Sequence, residues 1–406
     1  MRYCRKCVYP ENARPHIHFD EDGICSGCRA FEARTSAASK IDWNERWEAL
    51  KALLSQYAAA QRKKGNPYDC IIPVSGGKDS HYQVHVIRTL LGYRPLLVSY
   101  NHSFNTALGL RNLANLIDRF DVPLVRFTTP PGAAIRLAKY MLKRVGDITW
   151  HYHAGIMTFP VQAAIQYDVP LIIWGEEGFS ELVGMHNFDD QVEFTKKKRQ
   201  EHSMRGIEPE DLLANPTCPL TAYELAPFMY PSDKDIDRVG VRGIYLSNYI
   251  PWDARTQTEF VIRELGFESA QERDRTFNIY AKTDCMFANG LHDYLKYLKF
   301  GYGRATDDAS NEIRHGRMTR DEGVAMVEKY DHARPADMDT FLEMADMTET
   351  ELLDIIVPMA DPAIWSIRDR LWIKLDCIFQ DNSGEGAWKQ FPPTPAKGPL
   401  YGRCIL

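Results

Sequence analysis

The sequence predicts a doubly wound parallel α/β sheet, preceded by a small cysteine-rich module and followed by a mainly helical region. Three observations lead there. Short Val/Ile/Leu-rich runs without polar alternation recur between longer periodic stretches, as expected of strands covered on both faces. A glycine-rich turn, "VSGGKDS", interrupts the first of these runs and passes directly into a helical pattern. Two CxxC pairs open the chain.

The N-terminal stretch, residues 1–35, is rich in loop-forming residues and carries Cys4 and Cys7, then Cys25 and Cys28 after 17 intervening residues. Two such knuckles can close a tetrahedral zinc-ribbon site with no open position for chemistry, so structural Zn2+ is expected, with an iron-sulfur centre as the alternative. His16 and His18 are near enough in sequence to substitute as ligands. The remaining cysteines, Cys70, Cys218, Cys285, Cys377 and Cys404, show no CxxC spacing. From Ile41 to Gln61, Trp43, Trp47, Leu50 and Leu54 fall at helical spacing behind Asp42, a candidate N-cap.

Strand and helix signals then alternate: "DCIIPVS", a helix to Leu91, "RPLLVSY", a helix around "TALGLRNLANLIDRF", "VPLVRF", helices through "AAIRLAKYMLKRV" and "GIMTFPVQAAIQY", and "VPLIIWG". The pattern loosens beyond Gly178, and residues of about 180–240 read as a polar insertion lying over the site. A strand and helix in "RGIYLSNYIPWDARTQTEFVIRELGF" complete the sheet domain, 36–265, before the helical 266–406 region.

Composition narrows the function. With 55 acidic against 49 basic residues in 406, the net charge of -6 provides no global positive field for nucleic acid. No stretch approaches the ~20 apolar residues of a membrane span, and no secretory h-region opens the chain, so a cytoplasmic location is expected.

The turn "SGGKDS" fails the Walker A pattern, because Ile72 and Asp79 stand where a glycine and a hydroxyl are required. It matches in register the SGGxDS loop of the PP-loop ATP pyrophosphatase superfamily, which it resembles through Ser75, Gly76, Gly77, Lys78, Asp79 and Ser80. The resemblance implies a clamp for the β- and γ-phosphates of ATP, release of pyrophosphate and transfer of AMP to a substrate oxygen. The residue types suit that chemistry: serine hydroxyls and glycine amides donate to phosphate, Lys78 adds a cation and Asp79 helps to hold Mg2+.

Neighbouring strand ends supply further candidates. Ser99, Asn101 and His102 leave the second strand in reach of ribose or adenine. Trp174, Gly175, Glu176 and Glu177 leave a later one; the two acids read as a Mg2+ or substrate-orienting pair, and Trp174 as a base-stacking ring or a core aromatic. His151 and His153 are candidate proton acceptors or sugar contacts, though more commonly such histidines are packing residues. Asp284 and Cys285 in "KTDC" carry the same two readings, and the run Lys196 to Arg199 reads as a solvated face.

Two long stretches, "YCRKCVYPENARPHIHFDEDGICSGC" and the segment Leu291 to Asp331, resemble the bacterial N-acetyl sugar amidotransferases, which act in O-antigen and related surface glycan biosynthesis. The resemblance covers nearly the whole chain. It implies adenylation of the acetamido oxygen of an N-acetylated, nucleotide-linked sugar and its replacement by ammonia, giving an acetamidino group. Ammonia would come from a separate glutaminase and barrel-subunit pair, since no Cys-His-Glu glutaminase segment is visible. By analogy, Lys299 and Arg304 would sit over the polyphosphate, with Arg314, His315 and Arg317 as contacts to an acidic sugar or diphosphate. The alternatives are a PP-loop thiolation enzyme acting on tRNA and a non-catalytic nucleotide-binding protein.

Overall fold

The computed structural model describes residues 1–36, 41–186, 190–270, 274–280, 286–368 and 371–378. The cysteine knuckles lead into helix α1 (Ser26–Thr35). Helix α2 (Trp43–Lys63) follows, and Asp42 caps it as expected, accepting from the amides of Asn44 at 2.9 Å and Glu45 at 3.2 Å.

Five parallel strands, β1 (Cys70–Pro73), β2 (Pro95–Asn101), β3 (Leu124–Thr128), β4 (Leu171–Trp174) and β5 (Arg242–Tyr245), lie in the order β3-β2-β1-β4-β5. Strand order thus reverses between β1 and β4. The crevice at their carboxyl ends is where doubly wound sheets bind ligands.

Alternate side chains of the sheet serve different cores, as the pleat requires. Ile71, Leu96, Val98 and Ile172 pack on one face, and Cys70, Ile72, Leu97 and Ile173 on the other. The second face is covered by α2, by α3 (Lys78–Val84), which widens into a π-helical turn at His85–Leu90, and by α4 (Ala107–Phe120). The first is covered chiefly by α5 (Pro131–Val145) and α6 (Trp150–Gln166).

The insertion forms α7 (Gly178–Val183), α8 (Lys196–Lys198), α9 (Pro209–Ala214), α10 (Ala222–Leu225) and α11 (Asp233–Val239). It is less a loose cover than a second layer on α6. Leu212, Leu225 and Phe228 are fully buried there, and Gln162 donates to the Met229 carbonyl at 3.0 Å. Helix α12 (Ala254–Leu265) then packs beside α3.

The C-terminal region holds α13 (Asn289–Phe300), α14 (Arg304–Arg314), α15 (Arg320–Tyr330), α16 (Met338–Met344) and α17 (Glu349–Ile356). It ends in an antiparallel pair not anticipated from the sequence, β6 (Trp365–Arg368) and β7 (Leu371–Lys374). Trp365 and Trp372 bury their rings from these strands, 5.5 Å apart.

The N-terminal module shares a core with this region: Val8, Tyr9 and the four cysteines pack with Tyr302, Ala309, Ile313 and Val327. Tyr9 donates to Asp307 at 2.8 Å, and the Arg14 amide to the Tyr302 hydroxyl at 2.6 Å. Among the described residues, no helix is long and apolar enough to cross a membrane.

Candidate functional site

The glycine-rich turn sits at the switch point, between the end of β1 and the start of α3. Gly76 adopts φ +84, and a Cβ there would lie 2.8 Å from the Leu113 amide nitrogen, so both the conformation and the approach of α4 demand glycine. The Ser75 amide donates to Ser80 Oγ at 3.0 Å, and the Gly77 amide to Ser75 Oγ at 3.2 Å. The first amides of α3 have no carbonyl of their own helix to bond. Lys78 is 3% exposed and pairs with Asp79 at 2.6 Å, so a salt bridge occupies the cation expected at phosphate.

Two side chains that sequence reasoning missed hold this turn. His81 is fully buried; Nδ1 meets the Gly77 carbonyl at 3.1 Å and Nε2 the Asn115 amide nitrogen at 3.1 Å. Those partners fix Nδ1 as the protonated nitrogen, and burial lowers its pKa to about 4. Gln83, with its amide oxygen toward β4, accepts from the Gly175 amide at 2.7 Å and donates to the Asp79 carbonyl at 3.2 Å. It thereby ties the loop helix to the end of β4.

Beyond β4, Glu177 caps α7, accepting from the Ser180 amide and hydroxyl at 2.7 and 2.6 Å. Its other oxygen pairs with Lys198 at 2.7 Å. Burial works to raise the Glu177 pKa, but Lys198 and Ser180 outweigh it and hold the carboxyl below its ordinary value. Lys198 also lies over the Tyr245 ring at 5.0 Å, and its own pKa is lowered by burial despite Glu177. Arg199 is 1% exposed and bonds Glu208 at 2.9 and 2.8 Å. The expected solvated face therefore corresponds only to Lys196 and Lys197, since Lys198 turns inward to buried Glu177 and Arg199 to half-buried Glu208.

Trp174 is 9% exposed and stacks on Phe194 at 4.8 Å, the core alternative of its two readings. Ser99 is buried within β2. The Asn101 amide is buried too; it accepts from Ser103 and Asn105 and donates to Thr128, organising the turn after β2. The His102 ring accepts from the Phe104 amide at 3.1 Å, and burial brings its pKa down to about 3.

Lys299 and Arg304 are not brought to the glycine-rich turn by any contact described. Arg304 forks onto Asp293 with two 2.9 Å bonds. Lys299 donates to the Val145 carbonyl at 3.3 Å near Asp147, and burial lowers its pKa to about 8. Arg317 pairs with Glu312 and Asp253, and His315 packs edge-on against Phe31 at 4.6 Å. Asp284, Cys285 and Cys404 lie outside the described residues.

The sulfurs of Cys4, Cys7, Cys25 and Cys28 all lie within 4.8 Å of one another in a buried cluster, with Cys7 and Cys25 3.6 Å apart. A zinc-sulfur bond of ~2.3 Å in a tetrahedron sets sulfurs ~3.8 Å apart, so the cluster fits such an ion. Backbone amides of Cys7 and Cys25 donate to Cys4 Sγ at 3.4 and 3.3 Å. Arg314 reaches Cys25 Sγ at 3.7 Å and lies over Tyr9. Its guanidinium therefore balances thiolate charge, where the sequence had offered it to a sugar or diphosphate. His16 and His18 pack on each other, 4.7 Å apart, outside the cluster.

Residues 258–376 match the family model described as "LPS biosynthesis protein WbpG-like, C-terminal domain". This segment is thus similar to the WbpG-like C-terminal domains. The motif from Leu291 to Asp331 lies inside it, so the resemblance to surface-polysaccharide enzymes is borne out there. A relative described as "Uncharacterized protein MJ1599", from Methanocaldococcus jannaschii, is 22% identical over 122 residues, 30% of this chain and 41% of its own length. The chain thus spans less than half of that curated relative. Among solved structures, an NMN synthetase from Francisella tularensis aligns over 57% of this chain and 90% of its own, at 12% identity and a TM-score of 0.28. An NH3-dependent NAD synthetase from Campylobacter jejuni aligns over 49% and 96%, at 10% identity and a TM-score of 0.26.

The WbpG-like domain shares a core with the sheet domain, and a buried carboxylate joins the two. Asp147, between α5 and α6, pairs with Arg205 of the insertion and with His292 of α13 at 3.3 Å, and accepts from Thr149 Oγ1 at 2.6 Å. Burial alone would raise its pKa, but His292 and Arg205 hold it well below the carboxylate range. His153 stands beside this group, 6.4 Å from the His292 ring, while His151 is fully buried against Phe104. Nothing in "RVGDITW" distinguishes Asp147 from an ordinary loop acid.

Proposed function

We propose that the protein is an ATP-dependent amidotransferase of surface glycan biosynthesis, which adenylates the acetamido oxygen of an N-acetylated, nucleotide-linked sugar and replaces that oxygen with ammonia. AMP and pyrophosphate leave, and an acetamidino group remains. The observation that carries this reading is the occurrence in one chain of an SGGKDS turn at the switch point of a parallel sheet and a WbpG-like domain packed against that sheet's α5–α6 connection.

In this reading the amides opening α3, with the Ser75 and Ser80 hydroxyls, receive the β- and γ-phosphates. Asp79 and Glu176 are the carboxylates assigned to Mg2+, because Glu177 is committed to Ser180 and Lys198. The ion would neutralise charge on the departing pyrophosphate. Lys198, with Lys78, supplies the cationic side of the crevice. The acetamido oxygen attacks the α-phosphorus as the bond to pyrophosphate breaks. Ammonia then adds to the activated carbon, which expels AMP carrying the former amide oxygen. We assign ammonia supply to a separate glutaminase with its barrel subunit, for which concentrated ammonium should substitute.

The test is to supply ATP, Mg2+, ammonium and a panel of N-acetylated nucleotide sugars, and to follow AMP, pyrophosphate and a product in which NH replaces O. AMP formation with tRNA and a sulfur donor alone would defeat the proposal. Asp79→Asn, which keeps a hydrogen-bond acceptor beside the buried Lys78, should abolish turnover.

A further inference from the structure

A cavity of about 690 Å3 opens beside α3, between α1, the start of α2 and the segment joining β5 to α12. That is the size range of small-molecule sites, and its walls are aromatic in the manner of such sites. Phe31, Trp43, Tyr82 and Trp252 line it, with Tyr82 and Trp252 meeting edge to face at 5.8 Å.

The polar groups at its wall are of two kinds. The charged ones are already engaged: Asp253 is held by Arg317 at 3.1 Å and Thr256 at 2.5 Å, while Arg34 lies over Trp43 and donates to the Trp252 carbonyl at 3.4 Å. Two neutral ones, Gln257 and Trp252, are not. Gln257 is 4% exposed, and its amide interacts with the Tyr82 phenol but makes no well-formed hydrogen bond through either its oxygen or its nitrogen. The indole nitrogen of Trp252, in a residue 3% exposed, also lacks a partner. A buried amide left unpaired is destabilising, and a ligand that pairs with it relieves that cost.

Flat apolar walls joined to one poorly satisfied donor-acceptor amide suit a planar heterocycle with a donor and an acceptor side by side on its edge. Glutamine reads a base edge with such a pair, and base faces stack on aromatic rings. A bare phosphate would find no uncommitted cation among the charged residues named above. We propose that this cavity binds the base of a nucleotide, stacked on the aromatic wall and read along its edge by Gln257. Tyr82 follows Asp79 by three residues on α3, so the base site and the glycine-rich turn share one helix. The base comes either from ATP or from the nucleotide that carries the sugar. Base binding does not depend on amidotransfer, so failure to form AMP and pyrophosphate would leave it standing.

Calorimetric titration of the zinc-loaded 406-residue chain with AMP, UMP, CMP and ribose 5-phosphate tests this. At least one nucleotide should bind about tenfold or more tightly than ribose 5-phosphate and quench tryptophan fluorescence. Gln257→Leu should weaken that nucleotide about tenfold and leave ribose 5-phosphate unchanged. A preference for AMP assigns the site to ATP, and a preference for UMP or CMP to the sugar carrier. Trp43→Ala, at a half-buried position, is the second variant. Equal binding of ribose 5-phosphate, no nucleotide binding, or nucleotide affinity unchanged in both variants would overturn the assignment.

Discussion

Gly76 and Gly92 separate two reasons for needing glycine. Both are left-handed, at φ +84 and +72, but only Gly76 faces a neighbour, the backbone of Leu113. Gly92→Ala should cost only conformational strain, about 1–2 kcal/mol. Gly76→Ala should cost more and displace the turn from α4, weakening ATP binding by tenfold or more; equal thermal shifts in the two variants would refute the distinction. Arg314 poses a similar test at the metal. Groups that support metal ligands typically change affinity by about 10–100-fold when removed. Arg314→Met should therefore speed zinc transfer to a chromogenic chelator, whereas the same substitution at exposed Arg5 should not.

The elements were more legible than the sites they carry. The inner strands appear where apolar runs lack polar alternation, because both of their faces are buried and leave no solvent side to register. Asp42 and the CxxC pairs announce themselves through local chemistry, capping and chelation, which depends on a few neighbouring residues. The β6–β7 pair was missed because its four-residue strands pack through tryptophans that read equally well as helix core. Lys299 and Arg304 take their roles from the resemblance, while their partners, the Val145 carbonyl and Asp293, are set by tertiary packing that the sequence does not display. Lys198 was hidden for the opposite reason, as one of four adjacent cations of which two turn inward. At this scale the cysteine module makes its own prediction. Its core is shared with α14 and α15, and Ser26 beside the second knuckle donates to the Val183 carbonyl of α7 at 2.5 Å. Stripping the metal should lower one cooperative melting transition and impair AMP formation together. A separate low-temperature step with activity intact would show the module to be an independent appendage.

Across the whole molecule, several buried histidines make folding sensitive to acid in a way no single element would. Burial lowers the pKa of His81 and His151 to about 4, and of His102 and His153 to about 3, below the ordinary value of 6.5. Above pH 6.5 these rings are neutral in both folded and unfolded chains, and the full stability is present. As the pH falls below 6.5 the unfolded chain takes up protons that the folded chain refuses, so stability declines until the folded pKa values are reached. Each such histidine contributes a slope of up to about 1.4 kcal/mol per pH unit. Together they should bring acid unfolding on well above the range where carboxylates titrate. The denaturant midpoint should fall steadily from pH 7 to pH 5, with His81→Gln reducing the slope by the equivalent of about one proton. Zinc release, followed in parallel with a chelator, separates this from protonation of the thiolates. A midpoint flat between pH 7 and pH 5 would mean that these imidazoles reach protons without unfolding, and the neutral, loop-fixing role given to His81 would fall with it.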